Sequence, residues 1–253
     1  MYGFHPLSGA NPKLGPLDQD SLQFKFRAHI QMITHTHIYQ HILENFLSPE
    51  KTPRKEKYAN GTNYVLAVSG AAASGKTTFC KGMVEYLRNK GLSAAHVPLD
   101  GYLFDRETRD KQNLSGYDPK SSNLPQMIDH MKTLIYAGKS IDLPIYDHKS
   151  GNHRLSRLIK PAEIIILDGI MSLQFEIRER FPNLNIFFTS EDFVIRGLRL
   201  LVDMEERGYS VFRALAHSDE EFVFYNKWIY PQITFAHLKI WVGEQRELKL
   251  ASE

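Results

Sequence analysis

Along the chain, compact apolar runs alternate with longer stretches whose apolar residues recur every three to four positions, a pattern that begins near residue 64. The run Tyr64–Ser69 is β-rich and passes into small residues, which predicts a strand entering a loop. A helix is expected from Gly75 to about Lys90, stopped by Gly91. A second strand, "SAAHVPLD", ends at Asp100, and a helix is expected over about Leu124–Tyr136, ahead of Gly138. The segments "IDLPIYD" and "HRLSRLIK" flank Ser150-Gly151-Asn152, which predicts a β-hairpin. "EIIILDG" is a continuous apolar run closed by a carboxylate, as in a parallel strand buried on both faces. "LNIFFTS" predicts a further strand, "FVIRGLRLLVDMEERG" a long helix closed by Gly208, and "HLKIWVG" a last strand. Strands alternating with helices imply an α/β fold, a doubly wound and mainly parallel sheet with helices on both faces. Such sheets bind ligands at the carboxyl ends of their strands.

Before this pattern, Phe26, Ile30, Ile33, Ile38, Ile42 and Phe46 are spaced for a helix. The polar stretch Ser48–Thr62, rich in lysine and proline, reads as a linker. The division expected is therefore residues 1–62 as an N-terminal helical extension and residues 63–253 as the main domain. His37 and His41 stand four apart, but no carboxylate or cysteine at ligand spacing accompanies them. The expected role of the helix is packing, on the main domain or on a second subunit of a homodimer.

Composition narrows the function classes. Of 253 residues, 42% are hydrophobic and 24% charged, with a net charge of +2. That balance gives no global field for nucleic acid or a membrane surface, and neither is an expected partner. The one cysteine, Cys80, rules out an internal disulfide and is expected to pack in the core. The start, "MYGFHPLSGANPKLG", lacks a cationic region followed by an apolar run, and no apolar run approaches the ~20 residues of a membrane span. The expectation is a cytoplasmic protein.

The candidate chemistry lies in "GAAASGKTT". Gly70, Gly75, Lys76 and Thr77 match the spacing G-x-x-x-x-G-K-[ST], placed between a predicted strand and a predicted helix as a P-loop requires. In such a loop backbone N–H groups turn inward around phosphates, and the helix adds its positive end. Gly70, Ala71, Ala73, Ser74, Gly75, Lys76, Thr77 and Thr78 are therefore expected to hold a nucleotide. Lys76 would reach the β- and γ-phosphates, and the Thr77 hydroxyl would ligate Mg²⁺. Transfer to an acceptor hydroxyl needs a carboxylate other than the metal ligand. Asp100 and Asp168, at the ends of predicted strands, are the candidates. A guanine-reading N/T-K-x-D is not met by "YNKW" at Tyr225–Trp228, which lacks the Asp.

The order of glycine loop, "LDGYLFDR", "GYDPKSSNL", "LPIYDH", "IIILDGI" and "RGLRLLVDMEERG" resembles the uridine kinase, phosphoribulokinase and pantothenate kinase family of P-loop small-molecule kinases, over about Tyr64–Val242. The resemblance implies ATP and Mg²⁺ as cofactors and a small-molecule hydroxyl as acceptor. It puts Asp100 at the proton-accepting carboxylate and Tyr102 at the aromatic two residues on. It puts Tyr117-Asp118 where uridine kinases hold the sugar hydroxyls, Tyr146 in the acceptor pocket, and His148 where pantothenate kinases and phosphoribulokinases often carry histidine. Asp168 stands where the family usually has Glu near the metal, and Arg199 and Arg207 match arginines of a lid that closes over ATP. Four departures accompany this. Val202 and Tyr209 replace lid arginines, which leaves Arg196 or Arg213 to supply charge or makes the lid less basic. Ser121 replaces an acidic residue, Gly151 and Asn152 replace a base-contacting histidine, and Arg106 is placed to recognise a phosphate on the acceptor. The acceptor is thus a nucleoside on the uridine kinase pattern, or else a pantothenate-like compound, a sugar phosphate or a specialised metabolite. A nucleotide-binding regulatory module without kinase activity is the reading from another class.

Overall fold

A computed structural model describes residues 35–59 and 61–251. Strands β1 (Tyr64–Gly70), β2 (Ala94–Pro98), β5 (Ile164–Asp168), β6 (Leu184–Thr189), β7 (Leu238–Val242) and β8 (Leu248–Leu250) form one sheet in the order β2-β5-β1-β6-β7-β8. All neighbours pair in parallel except β7 and β8. The three-residue edge strand β8 is too short to stand out in sequence. Strands β3 (Ile141–Asp147) and β4 (Asn152–Ile159) form the expected hairpin, apart from the main sheet.

Burial on β1 explains the doubly covered sheet, because every residue of the strand is buried and alternate side chains enter different cores. Tyr64, Leu66 and Val68 join a cluster with Phe79, Met83 and Leu87 of helix α2 (Lys76–Asn89). Val65 and Ala67 face the other cluster, with Met127 and Met131 of α4 (Leu124–Met131) and with Tyr225 and Ile229. The helix expected over about Leu124–Tyr136 is present, but its last turn, Lys132–Tyr136, is a π-helix.

The helix over 35–46, α1, lies on the α2 side. Ile38, Tyr39 and Ile42 are buried in the cluster that contains Leu66 and Phe79, and the Tyr39 hydroxyl donates to the Phe79 carbonyl at 3.2 Å. Phe26, Ile30 and Ile33 lie outside the described residues. His41 pairs with Asn45 and His37 is exposed. Three further helices, α3 (Arg106–Lys111), α5 (Phe175–Arg178) and α7 (Val211–Phe224), carry no strong apolar period, whereas α6 (Asp192–Glu205) is the expected long helix. Among the described residues no helix is long and apolar enough to cross a membrane.

Candidate active site

The strands β1 and β5 end side by side, with Val68 paired to Asp168, so the loop that follows β1 opens beside the Asp168 carboxylate. Gly70 is required here twice over. Its φ is +137°, and a Cβ would fall 2.4 Å from the Phe188 carbonyl oxygen of β6. Gly75 takes φ +87° immediately before α2, in a place where a side chain would meet nothing, so backbone conformation alone selects it. The first turn of α2 has no side-chain cap and no acidic residue, which leaves its N–H groups available to an anion.

Lys76 is buried and its ammonium donates to the Ala71 carbonyl at 2.6 Å. Burial lowers its pKa, while Asp168, Asp100 and Cys80 pull the other way. Thr77 and Thr78 are exposed on the same cleft. Asp168 is 3% exposed; its Oδ2 lies 3.0 Å from His96 Nε2, and its Oδ1 has no hydrogen-bond partner. An orphaned carboxylate oxygen, an open hydroxyl and an uncapped helix start form a donor set that fits a hard divalent cation together with phosphates.

Asp100 is not a strand residue. β2 stops at Pro98 and the chain turns through a 3₁₀ helix, Leu99–Tyr102. That turn carries Asp100 into the open, half exposed, with its Oδ2 3.1 Å from His148 Nε2 of the hairpin. Burial of its surroundings opposes ionisation, but the His148 hydrogen bond and the charges of His148, Lys76 and His96 outweigh it and hold the carboxyl below its usual range.

Two cavities meet at Asp100. The larger, about 540 Å³, is lined by Gly75, Lys76, Thr77, Thr78 and Asp168. The smaller, about 150 Å³, is lined by Arg106, Arg109, Tyr117, Tyr209, His217 and Glu221. Asp100, Tyr146, His148, Arg199 and Arg207 belong to both walls.

Two residues that the resemblance assigns to the acceptor pocket are elsewhere. Tyr102 is 2% exposed, with its hydroxyl 3.1 Å from His130 Nδ1, because the 3₁₀ turn that exposes Asp100 directs Tyr102 into the core. Asp118 accepts from the Lys120 backbone N–H at 2.8 Å, capping the turn Pro119–Ser121, and lines neither cavity. Tyr117 is buried on the wall of the smaller cavity, its hydroxyl pKa raised by burial and by Glu221.

Arg199 and Arg207, which the resemblance assigns to a lid, are engaged with carboxylates. Arg199 Nε lies 2.8 Å from Glu221 and 3.2 Å from Asp203, while Arg207 lies 3.0 Å and His217 2.7 Å from the same buried Asp203. Neither Arg196, which pairs with Asp219, nor Arg213, stacked on Tyr209, lines either of the two cavities. Lys149 and Arg246 add positive charge to the wall of the larger cavity.

Arg109 is a site residue that sequence reasoning missed. It donates from Nη2 to the Tyr146 hydroxyl at 2.8 Å and from Nε to the Phe104 carbonyl at 3.0 Å. The available signal was its three-residue spacing from Arg106, which puts both on one face if "RETRDK" is helical.

The family model described as Phosphoribulokinase / Uridine kinase family matches residues 65–249. The chain is 28% identical over 181 residues to a uridine kinase of Lactococcus lactis subsp. lactis, covering 70% of this chain and 86% of that one. It is 25% identical over 179 residues, 70% of its length, to a phosphoribulokinase of Synechocystis, of which it spans 53%. Among solved structures, D-glycerate 3-kinase from Cryptococcus neoformans shares the fold with a TM-score of 0.62 at 14% identity, covering 86% of this chain and 98% of that one.

Proposed function

This chain belongs to the phosphoribulokinase and uridine kinase family, and on that premise we propose that it is a Mg·ATP-dependent kinase acting on a hydroxyl of a small acceptor that bears an anionic group. The observation that carries this reading is the position of Asp100 on the wall common to both cavities. A carboxylate there touches the transferring phosphoryl group on one side and the acceptor on the other. With its pKa held down it is ionised at neutral pH and ready to take the hydroxyl proton. His148 orients it through the 3.1 Å contact.

Lys76 and the loop N–H groups hold the triphosphate, and Thr77 with Asp168 holds the metal. Bound Mg²⁺ would neutralise charge on the β- and γ-phosphates. Arg199 and Arg207, on both walls, are placed to offset charge that develops during transfer. Residues 63–253 form the kinase domain in this reading, and residues 1–62 its extension.

The acceptor side supports an anion over a neutral nucleoside. Arg106 and Arg109 have no carboxylate partner among the described residues and instead bond to the His148 and Phe104 carbonyls and the Tyr146 hydroxyl. Arginine forks in that state suit a carboxylate or phosphate. Asp118, the sugar-binding carboxylate of the uridine kinase pattern, caps a turn instead. The test is ADP release with Mg·ATP across uridine, cytidine, pantothenate, short hydroxy acids and pentose phosphates. Turnover confined to acidic acceptors supports the reading, and turnover on neutral nucleosides alone overturns its acceptor half.

A second reading, a nucleotide-binding regulatory module, draws on one observation: Arg199 and Arg207 are already neutralised by Asp203 and Glu221. Tight ATP binding without acceptor-dependent ADP release would favour it.

A further inference from the structure

Beneath the phosphate loop lies a group of three side chains of which the proposed reaction uses only Asp168. Cys80 sits on α2 one turn beyond Lys76, His96 on β2 and Asp168 at the end of β5. The alternation of β2 sends Ala95 and Val97 into one core, so His96 lies on the opposite face, the side covered by α2. A sulfur, a nitrogen and an oxygen atom of these three residues lie within 4.8 Å of one another. Cys80 and Asp168 are buried, at 0% and 3% exposure, and the His96 side chain is 8% exposed. His96 Nε2 is 3.0 Å from Asp168 Oδ2, and Asp168 Oδ1 is buried without a hydrogen-bond partner.

We propose that Cys80, His96 and Asp168 form a binding site for a borderline-soft divalent cation of the Zn²⁺ class, one that shares Asp168 with the magnesium site of the reaction and takes its other two donors from Cys80 and His96. A thiolate, an imidazole and a carboxylate are the donor types that Zn²⁺ takes, with a fourth position left for water. Ligand atoms around a tetrahedral Zn²⁺ stand about 3.3–3.8 Å apart, given bonds of about 2.0–2.3 Å. The present separations therefore need only a small adjustment. Magnesium prefers six oxygens and has no use for the sulfur. The three donors come from a helix and two adjacent strands, which fixes their separation better than loops would.

The charges balance. The Cys80 thiol gives up its proton to solvent, and the two positive charges of the ion then meet one thiolate and one carboxylate, with His96 neutral. Lys76, whose ammonium is held by the Ala71 carbonyl, borders the group and weakens the site without closing it. Occupation has a consequence that rests on the proposed function: Asp168 cannot serve the soft ion and the Mg²⁺ of the phosphate cleft equally. The soft cation is then an inhibitor of Mg-dependent turnover, relieved by a chelator.

The test uses Co²⁺ as a spectroscopic stand-in for Zn²⁺, added to the full chain without nucleotide. Cys80 is the chain's one cysteine, so sulfur-to-cobalt charge transfer can arise from this site alone. The proposal expects a near-ultraviolet charge-transfer band and intense tetrahedral visible bands that saturate at one equivalent and are displaced by Zn²⁺. The charge-transfer band is lost in Cys80→Ser, and binding weakens in His96→Gln. Thermal unfolding checks that both variants fold, and Cys80→Ala replaces the serine variant if it does not. A spectrum without sulfur charge transfer, or visible bands unchanged in Cys80→Ser, places the cobalt elsewhere and overturns the site. Inhibition of ADP release by Zn²⁺ is read separately. A cobalt–sulfur band with no effect of Zn²⁺ on turnover keeps the site and removes Asp168 from the magnesium role.

Discussion

Asp203→Asn probes how Arg199 and Arg207 are held. The Asp203 side chain is fully buried and faces two guanidinium groups, Arg199 at 3.2 Å and Arg207 at 3.0 Å, and the His217 imidazole at 2.7 Å. Burial pushes its carboxyl toward protonation, but the His217 hydrogen bond and the two guanidinium charges outweigh that and hold its pKa below the usual value. Breaking a buried ion pair from one side costs about 3–5 kcal/mol, mostly for the charge left behind. Here Arg199 keeps Glu221 at 2.8 Å, and the Arg207 and His217 side chains, 17% and 28% exposed, can turn to water. The expected loss is therefore at the low end, about 3 kcal/mol, or about 6–12 °C in Tm at this size. Because the folded pKa is depressed, the stabilisation is present above the unfolded value near 4 and fades as pH falls through the folded one. Urea denaturation of both proteins at pH 7, 4 and about 2.5 reads this directly, because only the lowest of these lies below the unfolded value. A gap under about 1 kcal/mol at pH 7, or one that does not narrow on acidification, would show that Asp203 is not the anchor of the two arginines.

Three further substitutions test other parts of the account. Gly70→Ala is expected to cost about 2–4 kcal/mol in chemical denaturation, because a Cβ 2.4 Å from the Phe188 carbonyl adds a clash to a strained φ; a neutral effect would refute that packing. Ile42→Ala, at a fully buried site, should cost about 2–5 kcal/mol and lower a single unfolding transition, whereas a separate early transition would show that α1 is an independent appendage. Arg109→Ala should raise KM for an acidic acceptor by about 10- to 100-fold, the equivalent of one charged hydrogen bond, and leave KM for ATP unchanged.

What the sequence disclosed follows from how strongly each element imprints a pattern. β1 and β5 are continuous apolar runs because helices cover both faces of the sheet, and the phosphate loop between β1 and α2 has a rigid spacing. The hairpin showed in the turn residues around Gly151. Elements whose residues answer to local or polar demands were silent. α3 has no buried residue and so no apolar period, which hid Arg109. α7 leaves Phe212 and Val223 exposed and blurs its own pattern. The resemblance located Asp100 on the cleft but put Tyr102 and Asp118 there as well, since linear correspondence does not say which way a 3₁₀ turn points its side chains. His96 gave no warning at all. A lone histidine in a strand becomes chemically informative only when β2 is laid beside β5 and under α2.

The most direct test of the central claim is single-turnover phosphoryl transfer by Asp100→Asn, with ATP affinity measured on the same preparation. The account predicts ATP binding close to that of the unchanged protein and an acceptor-dependent rate lower by about 10²- to 10⁴-fold, the range of a lost general base. Transfer at an undiminished rate would contradict it, because the carboxylate shared by the two cavities would then not be the group that takes the proton.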